Sequence, residues 1–175
     1  MYFIENITLK KSMSRQDRDT IIRNLVNFDS ELYLSFNDIG FTSALIYTQM
    51  SWYELATYTV EKIEGVPTKI HLHIGDFVTI QEENYDECYA IIKGIFKYKG
   101  SNNNFYPFIV IDWFEDINRI HNVLKCPLYR IQTTQNMRWR RIYPLSIIDH
   151  IQKVHLVYDS VSGLWIKKNY YFTAI

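Results

Sequence analysis

Apolar positions along this chain change period several times. Over residues 12–28 they recur at three-to-four spacing: Ile21, Ile22, Leu25 and Val26 fall on one face, which predicts a helix. Ser14, with Asp17 three residues on, has the form of an N-terminal cap. After residue 30 the period shortens. Leu32, Leu34 and Phe36 alternate with Tyr33 and Ser35, which predicts a strand. Residues 43–62 are rich in β-branched and aromatic side chains and favour extended structure, although Ser51 before Glu54-Leu55-Ala56 leaves a helical turn open. Gly65-Val66-Pro67 reads as a turn and as a boundary between a helical and extended segment, 1–66, and a strand-rich module, 67–175. Strands are expected near 77–81, 88–98, 106–114, 129–132, 154–158 and 165–172, with Asn102-Asn103-Asn104 as a hairpin loop. In the third of these, Ile109, Ile111 and Trp113 share one face, and Val110, Asp112 and Phe114 the other. One wholly apolar face suits a strand of a small closed barrel.

Composition supports a mainly β domain. Tyr (14) and Phe (10) outnumber Gly (6) and Pro (4), and aromatic residues fit pleated, half-buried surfaces. The length of 175 residues suffices for one ordinary core, and 47% apolar content excludes a disordered chain. Formal net charge is zero, so no global attraction to a polyanion is implied. Two distant cysteines, Cys88 and Cys126, suit a reducing compartment rather than a disulfide framework. The opening residues lack the form of a secretory leader, and no apolar run is long enough to span a bilayer. A soluble intracellular protein with no membrane partner is expected.

The strand order resembles that of bromo-adjacent homology (BAH) domains. It is carried by Gly75-Asp76-Phe77-Val78, Tyr89-Ala90-Ile91-Ile92, Ile111-Asp112-Trp113-Phe114, Tyr143-Pro144-Leu145-Ser146 and Lys153-Val154-His155-Leu156-Val157, over about half the chain. After Trp113-Phe114 the chain departs from the family, with Glu115-Asp116-Ile117-Asn118-Arg119 where an Arg-Pro-Glu-like run is usual. The segment 165–172 resembles tails of transposon-derived fungal proteins. The resemblance implies a BAH/SH3-like barrel, a nuclear location, and non-enzymatic binding of a chromatin-associated protein or histone-like peptide. Some family members read methyl-lysine with an aromatic cage. Tyr89, Trp113, Phe114 and Tyr129 are the candidate rings here, with Asp112, Glu115 or Asp116 as carboxylates that would strengthen attraction to an ammonium. Filling the core is the commoner fate of strand aromatics, so both readings stay open.

Local charge offers a second possibility. No acidic residue occurs between Asp116 and Asp149, while that stretch holds Arg119, Lys125, Arg130, Arg138, Arg140 and Arg141. In Arg138-Trp139-Arg140-Arg141, arginines suited to phosphates alternate with an indole suited to stacking on bases. A DNA contact or a grip on an acidic peptide would follow; a solvated face balanced by acids elsewhere is the alternative. His71 and His73 lack the spacing of a zinc site, and no catalytic or cofactor motif is present, so no cofactor is expected. Asp112 with Glu115 or Asp116 falls short of a nuclease metal site. Tyr170, Tyr171 and Phe172 offer a third option, docking on a larger assembly.

Overall fold

The computed structural model describes residues 4–25, 28–39, 50–61, 65–80, 88–99, 104–132, 140–149 and 154–167. Among them the chain is mainly β. Strands β1 (Ile4–Ser12), β2 (Met50–Glu61), β5 (Cys88–Lys99), β6 (Phe105–Ile120), β7 (Pro127–Ile131), β11 (Leu164–Lys167) and β10 (Leu156–Asp159) lie side by side in the order β1-β2-β5-β6-β7-β11-β10. Four shorter strands join this path from its flanks. They are β3 (Pro67–His73) on β2, β4 (Phe77–Ile80) on β5, β8 (Ile142–Pro144) on β6, and β9 (Ile148–Asp149) on β4. Every pairing is antiparallel, and the sheet is not closed into a barrel. It branches instead. β2 gives its first residues to β5 and the rest of the same edge to β3, while β5 gives its first residues to β4. The expected turn at 65–67 links β2 to β3 as a hairpin, and the β2–β5 pairing places both sides of it in one sheet.

Two helices precede the long strands. Helix α1 (Arg15–Asn24) starts as predicted: Ser14 Oγ accepts a hydrogen bond from the Asp17 N–H at 3.1 Å. It is shorter than the predicted span. β1 occupies the chain up to Ser12, and Leu25 is already extended; Val26 lies outside the described residues. The strand expected at 32–36 is helix α2 (Phe28–Asp38). Its buried residues are Phe28, Leu32, Ser35 and Phe36, a helical spacing. Leu34, which an alternating strand would bury beside Leu32 and Phe36, is 47% exposed. The extended reading of the next segment holds for Met50–Glu61, and 40–49 lie outside the described residues.

A single extra residue in β5 organises the core. Opposite β6, Ile92 pairs with Ile111 but Gly94 with Val110, so Lys93 is a β-bulge. Side-chain parity reverses there. Cys88, Ala90 and Ile92 before the bulge, and Ile95 after it, all face the main core with Ile109, Ile111 and Trp113. On the opposite face, Tyr89 before the bulge joins a cluster with Phe114, Tyr129 and Leu156. Phe96 and Tyr98 after it pack under the helices with Leu32, Phe36, Trp52 and Phe108. The mixed face expected for residues 109–114 is thus covered too: Val110 under the helices, Phe114 under the β10–β11 hairpin. Asp112 falls at the seam between these two covers.

Gly94 makes this arrangement possible. A Cβ there would stand 3.0 Å from Trp52 Cζ3 and 3.3 Å from Ile21 Cδ1, so α1 approaches the sheet only over a bare backbone. Gly94→Ala is expected to lower stability by about 1–3 kcal/mol despite its better backbone propensity. A urea midpoint equal to that of the parent would show that Trp52 and Ile21 yield without cost.

Candidate functional site

The proposed aromatic residues separate into two places. Trp113 is 1% exposed in the main core, edge-on to Tyr143 at 5.7 Å, with its indole N–H donating to the Arg140 carbonyl at 2.8 Å. Tyr89, Phe114 and Tyr129 gather on the other face of the sheet. There Tyr89 and Tyr129 meet edge-to-face at 5.6 Å. Phe114 lies 5.4 Å from Trp165 and 5.9 Å from Phe77. Trp165 also contacts Phe77 at 5.7 Å and Tyr158 at 5.2 Å. Phe77 and Trp165 are half-buried, Tyr158 is 54% exposed, and these three were not singled out from the sequence. One ammonium already sits in this layer. Lys167 Nζ stands 4.5 Å from the Tyr89 ring centroid and donates to the Tyr89 hydroxyl.

The nominated charges are largely engaged within the chain. Arg130 and Glu115 are directly opposite on β7 and β6 and form an ion pair at 2.8 Å. The Glu115 carboxylate holds the Arg130 pKa above its ordinary value by hydrogen bonding and by charge. Asp116 Oδ1 accepts from the Asn118 N–H at 2.8 Å, fixing an irregular turn of β6 where Asn118 has φ 56°. Arg140 pairs with Asp38 at the end of α2, and its guanidinium lies 4.3 Å from the Tyr143 ring centroid. Arg138, Trp139, Tyr170, Tyr171 and Phe172 lie outside the described residues.

Arg141 and Asp112, assigned from the sequence to different sites, meet. Arg141 Nη2 donates to Asp112 Oδ1, and the two side chains are 11% and 18% exposed. The same guanidinium donates to the Ile111 carbonyl at 3.0 Å and to the Asn24 carbonyl, at the end of α1, at 3.1 Å. The Arg141 backbone N–H donates to Glu31 Oε1 of α2 at 2.9 Å. Burial lowers the Arg141 pKa, partly offset by Glu31, and the guanidinium stays ionised at neutral pH. Burial also raises the Glu31 pKa, against the Arg141 hydrogen bond and the charges of Arg141 and Arg140.

This pair forms one end of a cleft of about 330 Å³ between α1 and the bulged part of the sheet. Asn24 stands at the same end, since its carbonyl holds Arg141. The backbone bond from Met13 N–H to the Trp52 carbonyl places the start of α1 beside β2, so Asp17 lies toward the other end, near Glu54. Met13, Ile21 and Ile74 supply apolar wall, and Lys93 reaches the cleft because it is the bulged residue. The sequence reading missed this site; the signal that could have found it is Lys93-Gly94, a charged residue beside a glycine inside an apolar strand. Among the described residues no three His, Cys, Asp or Glu side chains gather as a metal site, and no helix is long and apolar enough to cross a membrane.

Two outcomes follow for the arginine centre. Arg141→Met leaves Asp112 without its cation and removes one of the two positive charges near Glu31, and is expected to cost about 3–5 kcal/mol; adding Glu31→Gln should recover part of that. A loss below about 1 kcal/mol in urea denaturation would contradict the structural role. The Glu31 pKa is raised on folding, so its favourable contribution is complete below its unfolded value, near 4.5, and is lost as pH rises through the folded value. Glu31→Gln should therefore flatten the fall in stability above pH 4.5, and superimposable pH–stability curves would refute the assignment. The chain matches no family model and no curated protein.

Proposed function

We propose that this chain is a non-enzymatic recognition module of the BAH kind that binds a segment of a chromatin-associated protein in the nucleus. The observation that supports it is the layer of Phe77, Tyr89, Phe114, Tyr129 and Trp165, with an ammonium already on one ring. Its rim, Phe77, Trp165 and Tyr158, is open to solvent in part. Partly exposed ring faces attract alkylated ammonium groups, because the ring quadrupole favours a cation and the methyl groups lower its desolvation cost. In this reading a methyl-lysine side chain competes with Lys167 for the layer. Trp113 plays no direct part, because its indole is committed to the core.

DNA contact through residues 119–141 has weaker support. Arg130, Arg140 and Arg141 are each paired with a carboxylate of this chain, and releasing them would give up those pairs. Phosphate contacts normally come from cations free to exchange a counterion for the backbone.

The test is retention of trimethyl-lysine histone peptides on an array. Trp165→Ala should weaken retention about fivefold or more in a protein that stays folded, and Lys167→Met should strengthen it by removing the internal competitor. Unchanged retention in both variants would end the methyl-lysine version. Salt-sensitive binding of duplex DNA that exceeds binding of any peptide would favour the alternative.

A further inference from the structure

The cleft under α1 has a polarity that suggests what fills it. At one end Asp112 is neutralised by Arg141, and that guanidinium is anchored by the Ile111 and Asn24 carbonyls. The other end holds Asp17 and Glu54. Seven residues of helix separate Asp17 from Asn24, or about 10 Å at 1.5 Å each. Ile21 lies between the ends, and Met13 and Ile74 stand at the acidic end, Met13 through its N–H on the Trp52 carbonyl and Ile74 through its N–H on the Glu54 carbonyl. The cleft therefore carries three carboxylates against two cations, and one carboxylate–cation pair is already formed at one end. Of the remaining charges, two are negative and one, Lys93, stands at the bulge.

We infer that this cleft binds a basic side chain, lysine or arginine, of the partner segment. The aliphatic stem lies along Met13, Ile21 and Ile74, and the cationic head meets Asp17 and Glu54. Long basic side chains bury their stems on apolar surface while the head keeps polar company, which matches a narrow cleft with apolar walls and acids at one end. The Asp112–Arg141 pair at the far end supports this occupant over an acid. Arg141 is saturated by Asp112 and two carbonyls, so it offers an incoming carboxylate little, whereas among the described residues no ion pair engages Asp17 or Glu54. Lys93 then tunes affinity: its charge opposes the ligand and keeps binding weak and reversible. The inference rests on the recognition reading only in that the side chain belongs to a protein segment; it does not depend on the aromatic layer.

The experiment uses the full chain with ¹³C-labelled Met and Ile methyl groups, titrated with four capped tripeptides of the form Gly-X-Gly, where X is Lys, Arg, norleucine or Glu. Lys or Arg probes should shift the Met13, Ile21 and Ile74 methyls saturably, with Kd on the order of 1 mM. Asp17→Asn with Glu54→Gln should weaken that binding about threefold to tenfold, and Lys93→Gln should strengthen it. Both changes are at exposed or half-buried positions, and unchanged spectra elsewhere report an intact fold. Equal binding of norleucine, tighter binding of Glu, or no shift with any probe overturns the inference. With the Trp indoles labelled with ¹⁵N as well, a trimethyl-lysine peptide that shifts only the Trp165 indole would overturn it too while sparing the aromatic-layer reading. Cleft shifts with no Trp165 response would do the reverse.

Discussion

The Arg141 guanidinium holds together parts of the chain that are remote in sequence. It donates to carbonyls at the end of α1 and on β6 and to a carboxylate on β6, while the backbone N–H of the same residue donates to a carboxylate on α2. Hydrophobic contact alone would let two short helices slide over a flat apolar face, because that attraction is non-directional. Directed hydrogen bonds fix where the helices stop. Neither helix is long enough to be stable by itself, so their positions are set by tertiary contact. A buried ion pair adds little net stability against an apolar replacement, since desolvation offsets most of the Coulomb gain. Its effect is geometric: it marks the edge of the helical cover and the start of the cleft.

The bulge at Lys93 is the second constraint. Without it, β5 would present a single parity from Cys88 to Lys99, and residues on its outer face could not pass from the aromatic layer to the helical layer while the inner face stayed continuous. With it, one strand serves three clusters. The junction between the two outer covers coincides with the bulge on β5 and with Asp112 on β6, paired next to Ile91. A polar residue is tolerated on that face because the Arg141 guanidinium pairs with it at the junction. The exposed edge is managed differently. β1 carries Lys10 and Lys11, and Asn6 and Lys11 both adopt left-handed backbone angles, φ 54° and 56°. Kinks and charges of this kind discourage pairing with another strand.

Much of the sheet was legible because burial writes a period of two into the chain. Ile109, Ile111 and Trp113 announced the inner face of β6, and Ser14 with Asp17 announced the start of α1. Other elements left no such mark. β1 is exposed along most of its length, so nothing in its polar sequence distinguishes it from loop. In α2, Leu32 and Phe36 satisfy both a period of two and an i, i+4 spacing, and only the exposure of Leu34 separates them. The aromatic layer was half legible: Tyr89, Phe114 and Tyr129 were found as strand aromatics, but Phe77 and Trp165 reach it from distant strands.

The charges were least legible, for a reason that bears on function. An acid-free stretch of arginines looks like free positive charge only when neighbours in sequence are taken for neighbours in space. Arg130 finds Glu115 across a hairpin, Arg141 finds Asp112 on the next strand, and Arg140 finds Asp38 on a helix about a hundred positions earlier. These partners absorb the charge that would otherwise face a polyanion. Asp112 and Phe114 are two residues apart on the same face of β6, roughly 7 Å along the strand. The Asp112–Arg141 end of the cleft and the aromatic layer are therefore neighbours. The paired arginines hold the junction between the two outer covers in place.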